Sequence, residues 1–223
     1  MSKRKLDPAE SAYWNGFYAG KHPDLEVAST FARWVMERLR PGQTLFELGC
    51  GNGRDALFFA DQGLAVIACD RSEVAISTLS ERPDLARFKI RPVFQAGDMS
   101  ALDDSRAGKL DVVYSRFTLH AVTADEASAA LAWAYRNLAP GGQLMIEVRS
   151  VLGSLYGKGT PVPEDRDAFI HDGHYRRFVR KDELEAELRG LGFTISASVE
   201  AAHLAVYKDD DPVVIRIVAA KAG

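Results

Sequence analysis

Three groups of residues have the types and spacing to do chemistry. The first is the run Glu47-Leu48-Gly49-Cys50-Gly51-Asn52-Gly53-Arg54-Asp55. Glycines placed this way let the backbone turn sharply and let a ligand approach where a Cβ would collide. The Gly-x-Gly-x-Gly spacing of Gly49, Gly51 and Gly53 differs from the Gly-x-Gly-x-x-Gly loop that cradles a dinucleotide pyrophosphate, and it suits a ligand without phosphate. A nicotinamide oxidoreductase is disfavoured on that ground. The second group is Asp70 alone, at the end of the next apolar run. There a doubly wound fold sets a carboxylate against ribose hydroxyls, or else the residue competes with Ser72 to cap a helix.

The third group combines a histidine with basic and aromatic side chains. His120 follows the apolar run Leu110-Asp111-Val112-Val113-Tyr114, and a neutral imidazole at that edge can accept a proton near neutral pH. The alternative is a packed ring bonded to a carbonyl. Arg116 precedes it and is placed to contact a substrate or a carboxylate. Arg149, Tyr156, Lys158, His174, Tyr175, Arg176 and Arg177 follow, and guanidinium groups among aromatics suit a planar or anionic ligand. A solvated basic lid paired with Glu164, Asp165 and Asp167 has an equal claim. His171 and His174 have no third ligand nearby, so no metal is expected.

These residues need elements to hold them. Short apolar runs alternate with amphipathic stretches: Leu45-Phe46-Glu47-Leu48 precedes a helix over 54–62, Ala65-Val66-Ile67-Ala68 one over 72–81, and 110–114 one over 125–137. Val93-Phe94 and Gln143 to Val148 make the third and fifth strands, and a later helix spans 182–191. This is the rhythm of crossover units in a parallel sheet covered on both faces. Two helices are expected over 8–18 and 25–39. Strands over 193–207 and 213–219, joined by the short turn 208–212, must run antiparallel to each other. The expectation is an α/β fold, a doubly wound, seven-stranded, mostly parallel sheet with an antiparallel C-terminal strand, in one domain over 1–223. Its parts are a helical cap (1–41), a donor-binding core (42–150), a substrate lid insertion (151–180) and a C-terminal helix with the strand pair (181–223).

The 223 residues have a net charge of −3, with no basic excess to neutralise a phosphate backbone, so nucleic acid is not an expected partner. No run is long enough to span a bilayer and the basic start leads into no apolar leader, so a cytoplasmic protein without membrane attachment is expected. Cys50 and Cys69, at the ends of adjacent strands, are expected as free thiols.

As an ordered set, these segments resemble the class I S-adenosylmethionine-dependent methyltransferases of small-molecule type. Glu47 to Asp55 is similar to the family's first motif, Asp70 to its ribose acid and Gly97-Asp98-Met99 to its adenine contact. The segment 111–120 resembles the strand and turn facing the methyl donor, and 138–144 the turn into the fifth strand. The resemblance covers 42–150. It implies a Rossmann-like fold, S-adenosylmethionine as donor and S-adenosylhomocysteine as product. By residue it implies Glu47, Gly49, Gly51 and Gly53 at the methionine side, Asp70 and Arg71 at the ribose, Asp98 and Met99 at the adenine, and Ser115 on the donor strand; for Met99 plain core packing competes. In the family an N-terminal helix folds over the donor, and Trp14 and Tyr18, at i and i+4, share a face that does so or else clasps the sheet edge. The segment Ser115-Arg116-Phe117-Thr118 departs from the Asn/Asp-Pro-Pro-Tyr/Phe of enzymes that methylate exocyclic amines of bases. The function implied is methyl transfer to O, N or C of a small, anionic metabolite by a monomer or homodimer. The alternative is an inactive donor-binding regulatory or scaffold protein.

Overall fold

The computed structural model describes residues 13–16 and 27–223. Most of the first expected helix, including Tyr18, lies outside them. Described in full are α1 (Thr30–Met36), β1 (Thr44–Leu48), α2 (Arg54–Asp61), β2 (Ala65–Asp70), α3 (Glu73–Ser80), β3 (Val93–Ala96), β4 (Leu110–Arg116), α4 (Ala124–Asn137) and β5 (Leu138–Arg149). Then come β6 (Thr160–Val162), β7 (Asp165–His171), β8 (His174–Arg177), α5 (Lys181–Gly190), β9 (Phe193–Ala201) and β10 (Val214–Lys221).

The main sheet has seven strands in the order β3-β2-β1-β4-β5-β10-β9, with β10 antiparallel to both of its neighbours. Side chains alternate across it, as the twofold period of a strand requires. On β1, Leu45 packs on one face and Phe46 and Leu48 on the other; on β5, Met145 faces opposite to Leu144 and Ile146. One face is covered by α1, α2 and α3 through Phe31, Phe59 and Leu79, the other by α4 and α5 through Trp133 and Leu188. The helices start where side chains satisfy their free N–H groups. Ser29 accepts from Ala32 N–H, Ser72 from Ala75 N–H, and Thr123 with Glu126 forms a reciprocal capping box.

Two expectations are corrected. The helix over 25–39 is α1 alone, because Ser29 caps it and its backbone is extended. The strand over 193–207 ends at Ala201, where the chain leaves the sheet: His203 has φ 63° and Lys208 φ 53°, and Leu204 turns its carbonyl to the Thr30 hydroxyl and the Arg216 guanidinium. The connection to β10 is correspondingly longer than 208–212. Residues 151–180, expected as a substrate lid insertion, carry a second, three-stranded antiparallel sheet, β6-β7-β8. No helix among the described residues is long and apolar enough to cross a membrane.

One charged row runs across the centre of the main sheet. Arg116 on β4, Glu147 on β5 and Arg216 on β10 are register partners. Glu147 is fully buried, 2.8 Å from Arg116 Nε and 2.7 Å from Arg216 Nε. Arg216 also donates to Thr30 Oγ1 and the Leu204 carbonyl, which fastens α1 and the connection after β9 to the sheet. Removing the carboxylate leaves uncompensated buried charge. Glu147→Ala is therefore expected to cost about 3–5 kcal/mol of unfolding free energy in urea titrations. The double variant Glu147→Leu with Arg216→Met is expected to recover a large part of that loss.

Candidate active site

The site is built at the carboxyl ends of β1, β2, β4 and β5, the edge at which open α/β sheets bind ligands. After β1 the loop turns through Gly49 (φ 69°) and enters α2 from Gly53 (φ 75°), both left-handed. A Cβ on Gly49 would stand 2.4 Å from Thr118 Cγ2, and one on Gly53 2.6 Å from Leu79 Cδ2. Thr118 cannot retreat freely, because its hydroxyl donates to the Leu48 carbonyl at 2.8 Å. Asp70 ties this loop to the next one: Oδ2 accepts from Gly51 N–H at 2.8 Å and Oδ1 from Ser72 N–H at 2.9 Å. Ser72, not Asp70, caps α3 through its own hydroxyl. Burial raises the Asp70 pKa, and the backbone N–H groups of Ser72 and Gly51 oppose that shift. A carboxylate has about four lone-pair sites, so two remain for a ligand.

Next to Asp70 opens a cleft of about 480 Å³ that also includes Trp14, Arg71, Gly97, Met99, Phe117 and Val122 in its lining. Asp98 lies behind this wall, where its carboxylate accepts from Ser100 N–H at 2.8 Å and from Ser100 Oγ at 2.7 Å. Gly51 and Gly53 shape the loop without lining the cleft. Ser115 is buried in β4, and its hydroxyl has no hydrogen-bond partner among the described residues.

A second cavity, about 1030 Å³, adjoins the first and shares Trp14, Gly49 and Phe117 with it. Its lining includes Glu47, Arg54 and Asp55 from β1 and α2 together with Arg116, His120, Arg149, His174 and Arg176. Asp55 is already engaged, accepting from Ser29 N–H, Ser29 Oγ and Tyr114 Oη. Glu47 Oε2 is buried without a hydrogen-bond partner, and burial, reinforced by Asp55, pushes its carboxyl well above the usual range. His120 is held well below the usual imidazole value by burial and then by Arg149, His174, Arg176 and Arg116, and its Nδ1 has no partner. His174 is lowered to about 4 by burial and by Arg176.

The N-terminal segment covers this space. Tyr13 stacks on His174 with ring centroids 4.4 Å apart, Trp14 meets the same ring edge-on at 5.0 Å, and Asn15 Oδ1 accepts from Ser72 Oγ at 2.7 Å. The segment thus bridges the donor side and the insertion.

Alternation along β8 sorts the expected substrate residues. His174 and Arg176 point into the cavity, whereas Tyr175 and Arg177 are not in its lining. Arg177 pairs with Asp165 at 3.0 Å, and its N–H donates to the His120 carbonyl at 2.8 Å. Tyr156 donates to Asp167 Oδ1 at 2.7 Å and packs edge-on against Phe169 and Phe178, within the insertion's own core. Arg116 and Arg149 line the cavity, paired with Glu147 and Asp210. Sequence reasoning passed over Tyr13, Arg54, Asp55, Phe117 and Thr118. Arg54, Asp55, Phe117 and Thr118 lay within runs singled out for other residues. Phe117 takes φ 53°, a strained value that no residue type announces. Both cysteines are buried free thiols, and no group of three or more potential metal ligands converges among the described residues.

The two neutral histidines set an acid limit. A histidine whose folded pKa lies below its unfolded value near 6.5 lets the unfolded chain bind protons first. Its contribution to stability is complete above pH 6.5 and is lost as the pH falls toward the folded value, about 4 for His174. Unfolding free energy is expected to fall over that window, and His174→Gln is expected to flatten the decline in denaturant titrations at stepped pH.

Residues 45–142 match a family model described as a methyltransferase domain. The demethylmenaquinone methyltransferase of Beutenbergia cavernae is 34% identical over 108 residues, which cover 48% of this chain and 41% of that protein. The chain thus matches less than half the length of its curated relatives. A structure of S-adenosylmethionine-dependent methyltransferase from Methanosarcina mazei has a TM-score of 0.72 at 19% identity, covering 85% of this chain and 97% of its own. The 1,6-didemethyltoxoflavin-N1-methyltransferase of Burkholderia thailandensis, solved with 1,6-didemethyltoxoflavin and S-adenosylhomocysteine bound, reaches 0.68 at 22% identity over 100% of this chain and 94% of its own. At such identities the solved structures speak for the fold, and the sequence match speaks for the glycine-loop half. Residues 45–142 are thus similar to a methyltransferase domain, and the fold is one shared with solved S-adenosylmethionine-dependent methyltransferases.

Proposed function

We propose that the protein transfers a methyl group from S-adenosylmethionine to O, N or C of a small, anionic metabolite. The observation that carries this reading is a pair of cavities walled in common by Trp14, Gly49 and Phe117, one a carboxylate-bearing cleft and the other lined by arginines.

The residues present fit the donor. Glu47 Oε2 is an orphaned buried acceptor suited to the α-ammonium, Asp70 keeps lone pairs for ribose hydroxyls, and the cleft in front of Gly97 is open where a Cβ would intrude. Met99 offers an adaptable apolar surface to the adenine, with Arg71 and Asp98 near its rim. When bound, the donor supplies a methyl group already activated on a sulfonium. The chain then has to align the acceptor, exclude water and take up any proton released. Arg116, Arg149 and Arg176 make an electropositive wall for the acceptor's anion. Tyr13, Trp14 and His174 close the space to water, and His120, neutral and unpartnered at Nδ1, is the base for a nucleophile that must lose a proton. The names of the similar proteins, which give demethylmenaquinone and 1,6-didemethyltoxoflavin as acceptors, support a small organic substrate.

The test is incubation with labelled S-adenosylmethionine and a metabolite extract, followed by mass identification of labelled products. Donor binding without a product from any pool would favour the regulatory alternative. In calorimetry, S-adenosylhomocysteine is expected to bind and a nicotinamide dinucleotide is not. Asp70→Ala is expected to weaken S-adenosylhomocysteine by about 1.5–3 kcal/mol, the scale of a lost charged hydrogen bond. Unchanged affinity would remove the ribose assignment.

A further inference from the structure

Among the arginines of the cavity wall and its insertion, one differs from the rest. Arg116 is paired with Glu147 at 2.8 Å, Arg149 with Asp210 at 2.5 Å, Arg177 with Asp165 at 3.0 Å, and Arg54 stands 4.0 Å from Asp55. Arg176, half-buried on β8 and lining the cavity, has no carboxylate within ion-pair distance among the described residues. His120 lies beside this strand, since its carbonyl accepts from the neighbouring Arg177 N–H, and its buried Nδ1 is unsatisfied. An unmade bond at such a buried atom costs free energy, which a ligand hydrogen returns. The same cavity is also lined by aromatic rings: Phe117, Tyr13 and the His174 ring stacked on it.

We infer that Arg176 and His120 form a subsite for a planar aromatic monoacid, with the carboxylate on the Arg176 guanidinium, the ring against Phe117 and the Tyr13–His174 pair, and an N–H or O–H nucleophile presented to His120 Nδ1. This rests on the methyl-transfer reading and narrows it to an acceptor class. One uncommitted guanidinium matches one carboxylate bidentately. A dianion would need a second, and the others are already neutralised by fixed carboxylates.

The chemistry balances within this arrangement. The nucleophile's lone pair forms the new bond to the methyl carbon, the electrons of the carbon–sulfur bond stay on sulfur, and the displaced proton passes to His120. The charged and titratable groups that bear on His120 are Arg116 at the end of β4, Arg149 at the end of β5, and His174 and Arg176 on β8. Glu47, Arg54 and Asp55, on β1 and α2, line the same cavity. Before the acceptor arrives the arginines disfavour a proton on the imidazole. A carboxylate on Arg176 offsets one of those charges, so the acceptor strengthens its own base.

The test uses the full chain saturated with S-adenosylhomocysteine, titrated with benzoate, with its neutral isostere benzamide and with the dianion phenyl phosphate. Benzoate is expected to bind at least about 10-fold tighter than benzamide and no weaker than phenyl phosphate, the scale of one charge-assisted bidentate contact. In Arg176→Gln the benzoate preference is expected to vanish while S-adenosylhomocysteine affinity is kept; Arg176→Lys restores part of it. Benzoate is also expected to raise the His120 titration midpoint, followed by NMR of labelled histidine, and Arg176→Gln abolishes that rise. Equal binding of benzoate and benzamide, a preference that survives Arg176→Gln, or tighter binding of phenyl phosphate overturns the inference. Failure of S-adenosylhomocysteine itself to bind overturns the donor reading instead.

Discussion

The site depends on two hydrogen bonds made by one buried carboxylate. Asp70 accepts from Gly51 N–H with one oxygen and from Ser72 N–H with the other, which fixes the loop after β1 to the start of α3. Parallel strands of this kind leave their loops at a common edge without holding them to each other. Asp70 supplies that hold. With the loop fixed, Gly49 stays against Thr118 and Phe117, and the space for a ligand is set by backbone and not by side chains that adapt.

Charge is handled differently at the two ends of that space. On the sheet side, Glu147 balances Arg116 and Arg216 inside the core, and Asp55 is consumed by Ser29 and Tyr114. These groups organise structure. At the surface of the cavity, Glu47, His120 and Arg176 keep bonding capacity that the described residues do not use. Buried polar atoms without partners are uncommon in folded proteins, and those of Glu47 and His120 belong to residues that line this cavity, which is a physical reason to place a ligand there.

The sequence made the sheet and its loops legible because both depend on local pattern. Apolar runs with crossover helices specify a parallel sheet, and a glycine at each left-handed position marks the loop. Asp70 was found by its place at the end of β2. The insertion was harder. Tyr156 and Tyr175 were grouped with Arg176 and Arg177 by composition, whereas pairing with β7 makes successive residues of β8 face opposite ways. Recognising His174 to Arg177 as a strand would have separated Arg176 from Arg177. Phe117 and the pairing of Arg149 with Asp210 had no local signal, since one is a backbone strain and the other a contact between positions far apart in the chain.

Trp14 is in the lining of both the donor cleft and the larger cavity. A side chain that walls two compartments makes the free energy of filling one depend on the occupancy of the other, and by linkage the dependence is equal in both directions. Its neighbours extend the connection: Asn15 is bonded to Ser72, beside Asp70, while Tyr13 rests on His174, beside Arg176. A few consecutive residues thus join the two halves of the proposed bisubstrate site. Cooperativity between the ligands is then written into a local contact, without a global change of shape.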